Sequence, residues 1–143
     1  MKFQRDISMP LVETDTFYAF LNRNDIYHKF ANNFMSKINK GEFEAKFSSV
    51  SLIEIQLIYK SKEIEYEFEA DLVELQRIKN IEWAPLNTAS SFTAIYLRKK
   101  YNLSFFDSLY VGIVINFDKQ IISQDSEYDK IKGLNRIPLT SFT

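Results

Sequence analysis

Residues 7–21 read ISMPLVETDTFYAFL, an apolar run followed by two acids and a second apolar segment. The run at 7–12 contains Pro10, which suits the start or the edge of a strand. The segment at 16–21 is typical of a helix. The cluster Glu13-Thr14-Asp15 therefore lies where the chain leaves a strand and enters a helix. Side chains in that position can reach the rim of a sheet rather than a solvated face.

Apolar runs of strand length alternate with helical segments along the rest of the chain. Asp25, Ser51 with Glu54 three residues later, Asn87 or Thr88, and Ser104 are predicted to cap helices. The predicted strands are 7–12, 45–50, 81–86, 120–123 and 135–139, and the predicted helices are 16–21, 26–38, the segment opened by Ser51, 66–78, 88–97 and 105–117. This alternation predicts a three-layer α/β/α sandwich with a central, mostly parallel sheet of four or five strands, in a single domain spanning 1–143.

Acidic residues lie at one edge of the predicted sheet. Glu13, Asp15 and Asp125 follow strands, and Glu54 and Asp107 lie in the first turns of helices that start at the same edge. Ligands of open α/β sheets bind outside the carboxyl ends of the strands. Carboxylates gathered there repel one another unless a cation lies between them, and Mg²⁺ and Mn²⁺ prefer oxygen ligands. The sequence therefore predicts a divalent-metal site and points to metal-assisted phosphodiester chemistry.

Composition excludes several other classes of site. The 143 residues include no Cys and one His, His28, which rules out disulfides, zinc–thiolate sites, thiol nucleophiles and a multi-histidine metal site. The net charge is −1, so a nucleic-acid binder would depend on local basic patches such as Arg98-Lys99-Lys100. No apolar run approaches the roughly 18 residues of a membrane span. No secretory signal pattern is present either, so we expect a cytoplasmic protein without membrane association.

Four motifs, in this order, resemble those of PIN-domain ribonucleases, above all the short VapC-like toxins of toxin–antitoxin pairs. The motifs are Leu11-Val12-Glu13-Thr14-Asp15, Ser51-Leu52-Ile53-Glu54, the segment 103–108 around Asp107, and Ser123-Gln124-Asp125 followed by Tyr128. The resemblance covers 10–138. It has one departure, because Glu13 stands where the family has Asp, and Asp15 where it has Asn, Ser or Asp. Either residue can therefore be the first metal ligand.

The resemblance implies a Mg²⁺- or Mn²⁺-dependent endoribonuclease, the toxin of a type II toxin–antitoxin pair, that cleaves structured RNA with a metal-activated water and leaves a 3′-hydroxyl. The implied metal ligands are Glu13, Asp15, Asp107 and Asp125. Glu54 completes the catalytic set as a further ligand or by orienting the attacking water. Thr14 and Ser123 are expected to orient carboxylates through their hydroxyls. An antitoxin protein and a second copy of the chain, in a homodimer, are the expected partners.

Several alternatives remain open at this point. Each carboxylate taken alone is also explained as a helix cap or as a charge that complements the helix dipole, and Glu54 and Asp107 fit that interpretation. The whole chain is then a non-catalytic RNA- or protein-binding module on the PIN fold, with a site altered by Glu13. A third hypothesis is an RNA-processing nuclease without an antitoxin. His28 is expected to be a packing residue, and Arg98-Lys99-Lys100 either complements a helix C-terminus or contacts an RNA backbone.

Overall fold

The computed structural model describes residues 9–143, and these form five strands and six α-helices. The strands are β1 Leu11–Val12, β2 Lys46–Ser48, β3 Glu82–Ala84, β4 Gln120–Ile122 and β5 Asn135–Ile137. The α-helices are α1 Thr14–Leu21, α2 His28–Asn39, α3 Ser49–Ser61, α4 Glu65–Gln76, α5 Thr88–Tyr101 and α6 Phe105–Val114. Two 3₁₀ helices follow the fourth and fifth strands, at Ser126–Lys130 and Leu139–Ser141.

The sheet is parallel throughout, with the strand order β3-β2-β1-β4-β5. β1 is the central strand, and its Leu11 pairs with Lys46 of β2 on one side and with Ile121 of β4 on the other. The chain proceeds from β1 to β2 on one side and returns to β4 on the other. The crevice beyond the carboxyl ends of β1 and β4 is therefore the switch point at which sheets of this kind bind ligands.

Alternate strand residues build two cores, one on each face of the sheet. Val12, Phe47 and Ile122 are fully buried against α1, α2, α3 and α4. Leu11 and Ile121 point to the other face and are fully buried against α5 and α6. The predicted three-layer α/β/α sandwich is confirmed.

The N-terminal caps of two helices differ from those that the sequence predicts. Ser48, not Ser51, caps α3, because its Oγ accepts a hydrogen bond from the Val50 N–H at 3.1 Å. β2 consequently ends early, and Glu54 lies in the second turn of α3 rather than the first. Asp25 does not cap α2 either. Its carboxylate accepts from the Tyr27 N–H at 2.8 Å within a turn, and the helix begins at His28.

The other element ends agree more closely with the pattern. Asn87 caps α5 as predicted, and its side chain and that of Ser90 bond reciprocally to backbone N–H groups. α6 ends at Val114, three residues before its predicted end, since the N–H groups of Phe117 and Lys119 both donate to the Val114 carbonyl. Positions 7 and 8 of the predicted first strand lie outside the described residues. None of the helices within 9–143 has the length and hydropathy that a membrane span requires.

Candidate active site

Glu13 is a buried acid at the carboxyl end of β1. Its backbone N–H donates to the Ile122 carbonyl at 3.1 Å, which continues the pairing between β1 and β4. Only 6% of the residue is exposed. Burial raises the pKa of Glu13 well above its usual value, and the negative charges of Asp15, Glu54 and Asp107 raise it further. Burial and the neighbouring acids therefore disfavour the ionised form of Glu13, and a cation would favour it.

Asp15 and Ser123 connect the ends of β1 and β4. Ser123 Oγ lies 2.8 Å from Asp15 Oδ2 and 3.2 Å from Glu13 Oε2. The Gln124 N–H also donates to Asp15 Oδ2, at 2.8 Å. Burial raises the pKa of Asp15, and the hydrogen bonds from Gln124 and Ser123 oppose that rise because they favour the ionised form. One fully buried hydroxyl thus contacts both acids of the first motif.

Glu54 reaches the same edge from α3, where a hydroxyl chain holds it. The Tyr110 hydroxyl donates to Glu54 Oε1 at 2.7 Å. It also accepts from the hydroxyl of Thr14, whose Oγ1 lies 3.0 Å from Ser51 Oγ. Thr14, which was expected to orient a carboxylate, reaches Glu54 through Tyr110. Burial raises the pKa of Tyr110, so the phenol is a hydrogen-bond donor at neutral pH.

Asp107 lies in the first turn of α6, as predicted. Its carboxylate accepts from the Tyr128 hydroxyl at 3.0 Å. Burial raises the pKa of Asp107, and the charge of Asp125 adds to the rise. Asp125 itself caps the first 3₁₀ helix, because its Oδ1 accepts from the Glu127 N–H at 2.9 Å. Asp125 therefore has the capping role of the alternative interpretation and also acts electrostatically on Asp107.

The five acids influence one another, but they do not form a closed metal cage. No three His, Cys, Asp or Glu side chains of residues 9–143 converge closely enough to bind a metal as they stand. The chemistry of the donors nevertheless fits Mg²⁺ or Mn²⁺, because carboxylate oxygens are the ligands these ions prefer. A buried Glu13 with a raised pKa carries a charge that a cation would offset. Glu13, Asp15, Asp107 and Asp125 are the residues available to hold such an ion.

Four contributors to this region were not predicted: Ser51, Tyr110, Arg136 and the hydroxyl of Tyr128. Arg136 lies on β5 and forms a bidentate pair with Asp129, at 2.8 and 3.0 Å. A third nitrogen, Nη1, donates to the Ser123 carbonyl at 3.2 Å, so the guanidinium fixes the end of β4. The role of Arg136 could have been anticipated, because the sequence shows a basic residue on the predicted strand that follows β4 along the chain. The tyrosine hydroxyls gave no such signal, because Tyr110 lies in an apolar run that is interpreted as core and Tyr128 enters the fourth motif only as an aromatic residue.

Comparison with known proteins identifies the family. The sequence model that describes the PIN domain matches residues 11–134 of this chain. The chain belongs to the PIN domain family. Among solved structures, a chain of VapBC2 from Rickettsia felis, bound to a DNA fragment from its promoter, is 14% identical with a TM-score of 0.71, and the match covers 91% of this chain and 98% of that one.

Two further structures have the same fold as this PIN domain. A chain of DNA-bound VapBC from Salmonella typhimurium is 13% identical with a TM-score of 0.68, over 92% of this chain and 98% of that one. A chain of a toxin–antitoxin complex from Klebsiella pneumoniae is 12% identical with a TM-score of 0.59, over 87% and 94% of the two chains. At these identities the likeness shows the fold alone. No curated protein sequence matches the chain.

Proposed function

We propose that this PIN-domain protein is a divalent-metal-dependent endoribonuclease and the toxin of a type II toxin–antitoxin pair. One observation carries the proposal. Glu13 is buried at the carboxyl end of the central strand, and its pKa is raised by burial and by Asp15, Glu54 and Asp107. Strongly shifted acids that face one another at a ligand-binding edge are typical of functional sites, and a cation offsets their repulsion.

The metal-holding residues in this proposal are Glu13 or Asp15, together with Asp107 and Asp125. When bound, Mg²⁺ or Mn²⁺ lowers the pKa of water and stabilises the negative charge that develops on the phosphate. Ser123 holds the acids of the first motif through its hydroxyl, and Tyr128 holds Asp107. These contacts limit the orientations of the carboxylates before any metal or RNA arrives.

Glu54 has a separate role in the proposed reaction. Its Oε1 accepts from Tyr110, which leaves the second carboxylate oxygen for a water molecule or for the metal. The tyrosine is itself held by Thr14, so the position of Glu54 depends on α1, α3 and α6 together. We assign Glu54 to orienting the attacking water, with direct metal ligation as the second possibility.

An antitoxin is the proposed protein partner, and α3 and α4 offer a surface for it. Ile53, Leu57 and Phe68 line a groove of about 450 Å³ between the two helices. Ile53 and Leu57 are 56% and 49% exposed, and an apolar groove with exposed aliphatic residues at its rim is typical of a protein interface. The likeness to chains from VapBC complexes supports an antitoxin as the occupant. We also propose a homodimer, which light scattering on the purified protein would test by its mass.

An RNA cleavage assay tests the catalytic proposal. Cellular RNA should be cut in Mg²⁺ or Mn²⁺ and left intact in excess EDTA. Asp107→Asn and Asp125→Asn keep the shape of the side chain but remove its charge, so each should abolish cleavage. Glu42→Gln is a matched control, because Glu42 is an exposed acid in the turn before β2, at the opposite edge of the parallel sheet from the acids. Wild-type rates in both Asn variants would refute the assignment, and RNA that is bound but never cut would favour the non-catalytic module.

A further inference from the structure

The corner between α5 and α6 carries an exposed aromatic ring, at the start of the helix that also carries Asp107. Phe105 is the first residue of α6, two positions before Asp107, and 59% of it is exposed. The Arg98 guanidinium carbon lies 4.8 Å from the centre of the Phe105 ring. The ring thus has a cation on one side and solvent on another, in the same helical turn as a proposed metal ligand.

Arg98 is held in this position by hydrogen bonds rather than by packing alone. Its Nε donates to Ser108 Oγ at 2.8 Å, and Ser108 donates in turn to the Phe105 carbonyl at 2.6 Å. Ser108 is fully buried. Among residues 9–143, no further hydrogen bond of the Arg98 side chain is formed, so its terminal nitrogens are free to meet an anion. A fixed guanidinium with free donors is suited to phosphate.

Positive charge at this corner is not neutralised by neighbouring acids. Lys99 and Lys100 follow Arg98 in the last turn of α5, and no carboxylate of the described part of the chain forms an ion pair with any of the three. The two ion pairs of residues 9–143 lie elsewhere, at Lys130 with Glu127 and at Arg136 with Asp129. Lys100 instead lies 5.8 Å from the centre of the exposed Tyr96 ring. Part of this positive charge complements the negative C-terminal end of the α5 dipole. The dipole does not explain why exposed aromatic residues accompany the charge.

Unpaired cations interleaved with exposed rings are what proteins offer to single-stranded nucleic acid, where bases stack on aromatic faces and phosphates meet basic residues. A base within a duplex has both faces covered and cannot use such a ring. We propose that Phe105 and Arg98 form a platform that stacks an unpaired base and contacts the adjoining phosphate of the RNA substrate. The proposal rests on the ribonuclease function proposed above.

Binding measured without metal separates this platform from catalysis. A short fluorescein-labelled single-stranded RNA is titrated with the full chain in EDTA, and its anisotropy is followed. Phe105→Ala should weaken binding at least about fivefold, the lower end of what one base–aromatic stack is worth, and Phe105→Trp should restore it. Phe92→Ala is the control, because Phe92 is a 76% exposed aromatic residue near the opposite end of α5 and should have no effect. Melting curves confirm that each variant is folded.

The salt dependence of RNA binding and the preference for single-stranded over double-stranded RNA test the platform further. Arg98→Gln should reduce the slope of log affinity against log salt by about 0.7, the value for one lost phosphate contact on a single strand. The same RNA annealed to its complement should bind more weakly than the single strand. Equal affinity for both forms, or no loss in Phe105→Ala, overturns the platform. If the wild type cuts RNA and Phe105→Ala binds and cuts it equally well, the platform alone is refuted. If RNA binding depends on Phe105 but the wild type does not cut RNA in the presence of metal, the ribonuclease function alone is refuted.

Discussion

The hydroxyl of Tyr128 donates to Asp107 Oδ1 at 3.0 Å, although the two residues lie 21 positions apart on different elements. Tyr128 is fully buried in the 3₁₀ helix after β4, and Asp107 stands in the first turn of α6. Burial raises the pKa of Tyr128 well above its usual value, and the charges of Glu13 and Asp107 add to the rise. The phenol therefore keeps its proton at neutral pH and fixes one oxygen of the acid.

Tyr128→Phe should lower the rate of RNA cleavage by about tenfold, the order expected for one hydrogen bond to a charged group. The change keeps the buried ring and removes only the hydroxyl, so the melting temperature should fall only slightly. Tyr59→Phe is the matched control, because Tyr59 donates to Asp71 at 2.5 Å on α3 and α4, away from the acids. A Tyr128→Phe protein as active as the control would show that Asp107 needs no such orientation.

The order of strands, acids and helices could be predicted from the sequence, because each acidic motif lies at the boundary between two secondary-structure elements. That order predicted the sheet and the edge at which Glu13, Asp15, Asp107 and Asp125 lie. The start of α3 was less readable, because Ser48, Ser49 and Ser51 are all able to cap a helix. Their roles are decided by tertiary contacts, since the hydroxyl of Ser51 meets Thr14 in the core.

The hydrogen bonds that tyrosine hydroxyls form with acids on distant elements could not be predicted from the sequence. Tyr110 lies within an apolar segment, where an aromatic side chain predicts core packing, whereas Tyr128 lies in the polar stretch Ser126–Lys130. Both are indeed fully buried, and what directs their hydroxyls toward Glu54 and Asp107 is the way α6 packs against α3 and the way the 3₁₀ helix lies beside it. No local spacing encodes those distances. The acids were predicted from position, and the groups that orient them required the fold.

Glu13→Gln should raise the melting temperature at neutral pH in the absence of metal. The pKa of Glu13 is higher in the folded chain than in the unfolded one. The stability it contributes is therefore complete below its unfolded pKa and is lost as pH rises through its folded pKa. Gln carries no such charge, so the variant should gain about 4 °C for each kcal/mol relieved.

The pH dependence of that gain is the decisive measurement. Melting curves in EDTA from acidic to neutral pH should show the difference between wild type and Glu13→Gln shrinking toward zero as the pH falls. Glu127→Gln should show no comparable gain, because Glu127 is exposed and paired with Lys130. A constant difference at every pH would mean that altered hydrogen bonding, not ionisation, is responsible.

Mg²⁺ or Mn²⁺ should stabilise the wild type against heat, because a ligand that binds only the folded state shifts unfolding by mass action. At a hundredfold excess over Kd this amounts to about 2.7 kcal/mol. Asp107→Asn should show a much smaller metal-induced shift. Asp71→Asn, which removes an acid from the α3–α4 region, should respond like the wild type. Equal shifts in wild type and Asp107→Asn would remove Asp107 from the proposed metal site.

Glu13 and Asp15 compete for the role of first metal ligand. Glu13 is the more deeply buried, and both meet the hydroxyl of Ser123. We expect Glu13→Gln and Asp15→Asn each to reduce cleavage, because each removes a negative charge from the site. Glu13→Asp should be tolerated or improve activity, since it keeps the charge and is the residue that the resemblance of the first motif implies.

Asp15→Asn preserves an oxygen that can accept from the Gln124 N–H, so the variant should stay folded, and a melting curve checks this. A silent Glu13→Gln beside an inactive Asp15→Asn would make Asp15 the only first ligand. The reverse pattern would assign the ligand to Glu13 and leave Asp15 to fix the end of β4 through Ser123 and Gln124. If neither change alters cleavage or metal-induced stabilisation, the cluster only joins β1 to β4, and a non-catalytic module on the PIN fold explains the chain better.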